Sequence, residues 1–154
     1  MELSRKEALG LIGLSTLGLL YGTPVFAMKN RKKVAELNKL KPLKPITFNY
    51  PDEESPAILI DMGEPAYMGV GPRRSIVAFS SLCQHMGCPV QFDSKERLLV
   101  CPCHLSMFDP ARGGVCIEGP AISRLPIVAL EISGNDIFAV GIAQGVVYGR
   151  AKNF

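Results

Sequence analysis

Residues 46–154 predict an all-β fold, small and antiparallel, on three observations. Short runs rich in β-branched and aromatic residues follow one another: ITFNY (46–50), AILIDM (57–62), SIVAFSS (75–81), RLLVC (97–101), IVALEI (127–132) and DIFAVGI (136–142). Their length and spacing suit strands of an antiparallel domain. The pairs Gly71-Pro72, Gly113-Gly114 and Gly119-Pro120 mark turns between them. Ser133-Gly134-Asn135 reads as the tight turn of a hairpin joining the last two runs. A chain of 154 residues has room for one such domain and a leader, not for two full domains.

The leader comes first. From Ala8 to Met28 no residue is charged, and the stretch predicts one apolar helix. At about 20 residues it is just long enough to span a bilayer. Arg5-Lys6 ahead of it, with Val25 and Ala27 at its end, fit an export signal equally well. Residues 1–28 are thus read as an export signal or a membrane anchor. Residues 29–45 form a basic linker, helical or irregular, ending at Pro42 and Pro45. Between Lys29 and Lys44, seven Lys and Arg accompany one Glu, a local charge of +6. Residues 45–154 carry eight basic and eleven acidic side chains, a charge of −3. The basic balance therefore belongs to the linker. A nucleic-acid partner would need a basic stripe on the folded part, so no nucleic acid is expected. The run suits anionic lipid head groups or plain solvation. Its position after the apolar stretch favours a cytoplasmic C-terminus by the positive-inside rule; cleavage, or export of a folded chain, overrides that rule.

Chemistry concentrates in two loops flanking RLLVC. Cys83-Gln84-His85 and Cys101-Pro102-Cys103-His104 each offer one thiolate and one imidazole, and these are the only two histidines in the chain. Two thiolates and two imidazoles suit a tetrahedral zinc ion. They also suit an iron–sulfur centre with two Cys on one iron and two His on the other. Zinc modules usually separate the Cys pair from the His pair, whereas here each loop mixes them and can give one ligand to each of two metals. Cys88 and Cys103 lie within the same runs and do not easily join one tetrahedral site. The iron–sulfur reading is favoured, with zinc as the alternative. Cys116, between Val115 and Ile117, reads as a small buried hydrophobe.

CQHMGCPV (83–90) and CPCHLSMFD (101–109) resemble the two cluster-binding loops of Rieske iron–sulfur proteins. The branch they resemble contains a disulfide and includes cytochrome bc and arsenite oxidase members. The resemblance implies a β sandwich or barrel bearing a small cluster-binding subdomain at about 82–121. It implies that Cys83 and Cys101 hold a buried iron of a 2Fe–2S cluster, and His85 and His104 the outer iron. It pairs Cys88 with Cys103 in a disulfide, which suits an oxidising compartment. Gly119-Pro120 resembles the third, proline-containing loop that covers the cluster. In the high-potential branch a Ser two residues after the second His donates to a cluster sulfur, and Ser106 keeps it. A Tyr two residues further on commonly donates to a Cys ligand; Phe108 stands there and has no donor. That substitution implies a potential below the top of the roughly −150 to +300 mV Rieske range.

Beyond the loops, PITFNYPDEESPAILIDMGEP, GVGPRRSIVAFSSLCQHMGCP and GVVYGRAKNF resemble the small subunits of arsenite oxidases, so the likeness covers nearly all of 45–154. It implies an electron-transfer subunit of an oxidoreductase, with no substrate chemistry on this chain. A large partner subunit would hold a molybdenum–pterin centre and a 3Fe–4S cluster. Electrons would pass from it through the Rieske centre to a soluble cytochrome c, a copper protein or a quinone. Relatives acting on another oxyanion, such as iodate, fall within the same expectation. The alternative is the Rieske subunit of a quinol-oxidising cytochrome bc-type complex. The small subunits usually begin with a twin-arginine export signal, and here Ser4-Arg5-Lys6-Glu7 has Lys in place of the second Arg. The expected location is the periplasm or the outer face of the cytoplasmic membrane.

Overall fold

The computed structural model describes residues 30–150. The apolar helix expected within 1–28 lies outside the described residues. Two antiparallel sheets make up the described span. The larger is ordered β1 (Lys32–Glu36), β10 (Asp136–Gln144), β9 (Ile127–Ser133), β4 (Ile76–Ser80), β3 (Pro56–Asp61) and β2 (Ile46–Asn49). The smaller is ordered β5 (Gln91–Asp93), β6 (Leu98–Val100), β7 (Met107–Asp109) and β8 (Val115–Glu118). A single 3-10 turn, Leu37–Lys39, comes directly after β1. No helix among the described residues is long and apolar enough to cross a membrane.

β3 and β4 organise the packing because both their faces are buried. Ala57 and Leu59, with Ile76 and Ala78, face one core together with Tyr50, Val128, Ile137 and Ala139. Ile58 and Ile60, with Val77 and Phe79, face a second core containing Leu99, Phe108 and Leu125. Two-sided burial is why these strands read as continuous apolar runs rather than as alternating ones. Each large side chain so buried stabilises the fold by about 1.5–3 kcal/mol. Cys83 and Cys101 belong to the second core, so the candidate ligands rest on the same wall as the main sheet.

The main sheet curls until its edges approach. Lys32 Nζ on β1 lies 2.8 Å from Glu53 Oε1, in the turn after β2. At the far hairpin Ser133 pairs directly with Asp136, leaving Gly134 and Asn135 as the two-residue turn. Gly134 there has φ +60°, a conformation glycine adopts without steric cost.

The segment expected as a linker is largely part of the domain. Residues 32–36 pair with β10 from Lys32–Ala139 to Glu36–Asp136, with a bulge between Lys33 and Ala35. Val34, Ala35 and Leu37 pack against the first core. The basic side chains meet the domain's own carboxylates: Arg31 with Glu131, Lys32 with Glu53, and Lys33 with Asp136. Arg31 also lies over the Phe138 ring, 3.3 Å from its centroid. Single exposed pairs of this kind contribute about 0–1 kcal/mol; their joint effect is to fix the register of an edge strand. The charge run that suggests a solvated or lipid-bound tether is spent in part on the protein itself.

Asp61, at the end of β3, ties that strand to β4. Its carboxylate accepts hydrogen bonds from Ser75 Oγ (2.6 Å), the Gly63 N–H (3.0 Å) and Arg73 Nη2 (2.9 Å). Burial pushes this carboxyl up, but the Ser75, Gly63 and Arg73 interactions outweigh it and hold it below the usual carboxylate range. A depressed folded-state pKa stabilises above the unfolded value of about 3.9 and is lost as pH falls through the folded one. Asp61→Asn is therefore expected to cost about 1–2 kcal/mol at neutral pH. Its deficit against the parent should shrink below about pH 4, which urea unfolding at two pH values would show.

Candidate metal centre

The two Cys/His loops are the same turn built twice. In the first, the Cys83 N–H donates to Cys88 O (2.9 Å) and the Gly87 N–H to Cys83 O (2.8 Å). In the second, the Cys101 N–H donates to Ser106 O (2.8 Å) and the Leu105 N–H to Cys101 O (3.0 Å). Each loop thus closes over five residues, and its fifth residue is left-handed: Gly87 at φ +75° and Leu105 at φ +58°. Such a turn sends the first Cys inward and lifts the next residues toward the tip. Cys83 and Cys101 are each 1% exposed, His85 is half-buried and His104 is exposed.

The side chains converge as that geometry requires. The His85 and His104 rings stand edge to face, with centroids 4.7 Å apart at 88°. His85 Nδ1 is buried and has no hydrogen-bond partner. A buried polar atom left unpaired is costly, and a metal bond would satisfy it. Burial pushes the Cys83 thiol up, and the adjacent Cys101 thiol adds to the effect against the His85 backbone and Ser106. The two sulfurs lie together in an apolar core, and a metal binding both would take them as thiolates. Cys88 and Cys103 are joined by a disulfide with an S–S length of 2.04 Å. The Cys88, Cys101 and Cys103 sulfurs lie within 4.8 Å of one another. Two of these three are bonded together and have no thiolate to give, so that trio is no ligand set.

Around this set, Ser106 is fully buried, and its Oγ accepts the Ala121 N–H at 3.1 Å. Its own proton is then free to point at the Cys83 sulfur, beside which the hydroxyl lies. Phe108 is fully buried in β7, across from Leu99. Gly119 has φ +92°, and a Cβ there would lie 2.5 Å from Ser106 Cα. The Gly119-Pro120 loop therefore lies directly on the second loop. Cys116 is half-buried rather than buried, packs at the margin of the second core, and lets its thiol donate to Glu118 O. Ala121 and Tyr148, whose ring rests on Gly87, carry no spacing signal that would single them out in the sequence. A cavity of about 400 Å³ lies elsewhere, between Leu37, Pro42, Asp61 and Arg73, and contains no Cys or His.

The family model described as the Rieske [2Fe-2S] domain matches residues 30–129. The chain belongs to the Rieske [2Fe–2S] family. The match begins at β1, in keeping with the place of that strand in the sheet. This Rieske chain is 42% identical over 147 residues to an iodate reductase subunit IdrB of Denitromonas iodatirespirans, covering 90% of this chain and 79% of that one. It is 39% identical over 122 residues to the IdrB of Pseudomonas sp. (strain SCT), covering 77% of this chain and 63% of the relative, less than two thirds of its length. Among solved structures, the soluble domain of the Rieske protein II (soxF) from Sulfolobus acidocaldarius matches with a TM-score of 0.68 at 29% identity. That match covers 79% of this chain and 82% of that one. The Rieske cofactor is a 2Fe–2S cluster, and the donor set fits it: paired buried thiols below, paired imidazoles above, one imidazole nitrogen unpaired.

Proposed function

We propose that this chain is the electron-transfer subunit of a molybdenum oxidoreductase that acts on an oxyanion, with iodate as the first candidate. The observation that carries this is the 42% identity to an iodate reductase subunit across 90% of the chain. Cys83 and Cys101 would hold the inner iron and His85 and His104 the outer one. When bound, the cluster supplies a one-electron couple. The residues do the rest. The apolar core around Cys83 and Cys101 excludes water from the sulfurs. Ser106 directs a proton at the sulfur side and so favours the more negative reduced state. Phe108 adds no such donor. The two imidazoles stand at the tip, beside the exposed Met86 and Leu105, and the turns 83–88 and 101–106 carry no carboxylate, Lys or Arg. A partner would meet the site there without desolvating a full charge.

An iodate reductase consumes electrons, so this subunit would pass them to the molybdenum partner from a cytochrome c, a copper protein or a quinone. An arsenite oxidase would run the flow the other way, and the resemblance of the flanking runs keeps that as the second reading. The disulfide and the leader support export to the periplasm or the outer membrane face.

The test is EPR on the complex purified with its large subunit. Iodate should discharge the Rieske signal of the reduced complex, and should leave that of the isolated subunit untouched. Arsenite developing the signal in the oxidised complex would assign the second reading. Co-purification with a cytochrome b would replace both with a quinol-oxidising complex. In the isolated subunit, Cys83→Ser, His85→Ala, Cys101→Ser and His104→Ala should each abolish the signal, whereas Cys116→Ser should keep it.

A further inference from the structure

The likeness of the two loops exposes a difference that has its cause outside them. Leu105, the fifth residue of the second turn, holds a left-handed conformation with its side chain 63% exposed. A left-handed fifth residue therefore does not by itself demand glycine in this turn. At the matching position of the first loop, Gly87 is hemmed in: a Cβ would lie 2.6 Å from both Cδ1 and Cε1 of Tyr148. What excludes a side chain at 87 is the ring of Tyr148.

That ring is held in place from both ends. Gly145 turns the chain after β10 at φ +80°, close against Pro126. Val147 is buried at 1% exposure. The Arg150 N–H donates to Val147 O at 3.0 Å, closing a turn around Tyr148. The Arg150 guanidinium then donates to Asp52 Oδ1 (3.1 Å) and Ser55 Oγ (3.2 Å) in the turn between β2 and β3. The segment 145–150 is thus a strap, running from the end of β10 across the first loop to a turn of the main sheet.

From this we infer that Tyr148 is a positioning residue for the histidine side of the site. Its ring seats Gly87, the residue that closes the turn carrying His85, and so sets where that imidazole points. The inference rests on the assignment of His85 as a cluster ligand. The contact is made by ring carbons, so the ring and not the hydroxyl carries the role.

Pulsed EPR of the full chain, reading the nitrogen hyperfine couplings of the histidine ligands, tests it together with the rate of cluster loss followed by visible absorbance. Tyr148→Ala is expected to shift the couplings and to speed cluster loss about tenfold, the usual scale for residues that orient a ligand. Tyr148→Phe should match the parent in both. If Tyr148→Ala does not fold, Tyr148→Leu keeps apolar cover without a flat ring and is read the same way. A lowered thermal midpoint with parent couplings would show a merely structural role and overturn the inference. A parent signal that the Ala or Leu variant leaves untouched overturns it as well. Absence of any Rieske signal in the parent would instead overturn the ligand assignment, and this inference with it.

Discussion

Gly119→Ala is expected to destabilise the domain by about 3 kcal/mol or more, combining a backbone penalty with overpacking. The first part comes from φ +92°, which an L side chain rarely tolerates. The second comes from what the new methyl would strike: Ser106 Cα at 2.5 Å, Ser106 N at 2.8 Å and Leu105 O at 2.9 Å. All three are backbone atoms of the second loop, so no rotamer change relieves the clash. The third loop would have to lift, and the Ala121 N–H would leave Ser106 Oγ. Once that hydroxyl loses its donor it is free to turn, and the reduced cluster loses support. The same variant should therefore lower the midpoint potential in a redox titration as well as the urea midpoint. Gly134→Ala is the control. It shares a positive φ of +60° but meets nothing within 4 Å, so only the strain of about 1 kcal/mol should appear. Equal losses at the two sites would show that contact between the loops contributes nothing.

Removing the disulfide is expected to cost about 3 kcal/mol, the loop-entropy value for a closure of this length. Cys88 and Cys103 are separated by 15 residues and join the two turns that carry the candidate ligands. The informative variant is Cys88→Ser/Cys103→Ser. A single Cys103→Ser would free the Cys88 thiol within 4.8 Å of Cys101, where it could take a metal in the wrong place. In the double variant, urea unfolding should shift by the stated amount and cluster bleaching should accelerate. Reductant should do the same to the parent and nothing further to the variant. An unchanged bleaching rate would mean that the main-chain hydrogen bonds of the two turns hold the loops unaided.

Strands that carry their own pattern are legible in the sequence. IVALEI and DIFAVGI appear as β9 and β10 with the two-residue turn between them, and AILIDM and SIVAFSS as β3 and β4, because burial on both faces leaves an unbroken apolar run. β5, β7 and β8 leave no such pattern: they span three or four residues each, among Cys, Pro and Gly, and exist because the loops between them are pinned. β1 escapes for another reason. KKVAE looks like a solvated charge run, and only the β9–β10 hairpin at the far end of the chain reveals that Asp136 awaits Lys33 and Glu131 the neighbouring Arg31. The Cys and His residues announce the centre because metal donors are few in kind and their spacing is short. The Tyr148 strap does not, since an aromatic ring lying on a glycine far back in the chain leaves no local signature.

The sheeted entry strand bears on how far this electron carrier can travel. Residues 32–44, left free, would give a lead of about 45 Å at full extension. Folded along β10 and around the 3-10 turn, they give almost none. A shuttle that swings between donor and acceptor needs such a lead, whereas a stationary relay needs both partners within tunnelling range at once. From Lys32 onward, the described residues offer no such lead.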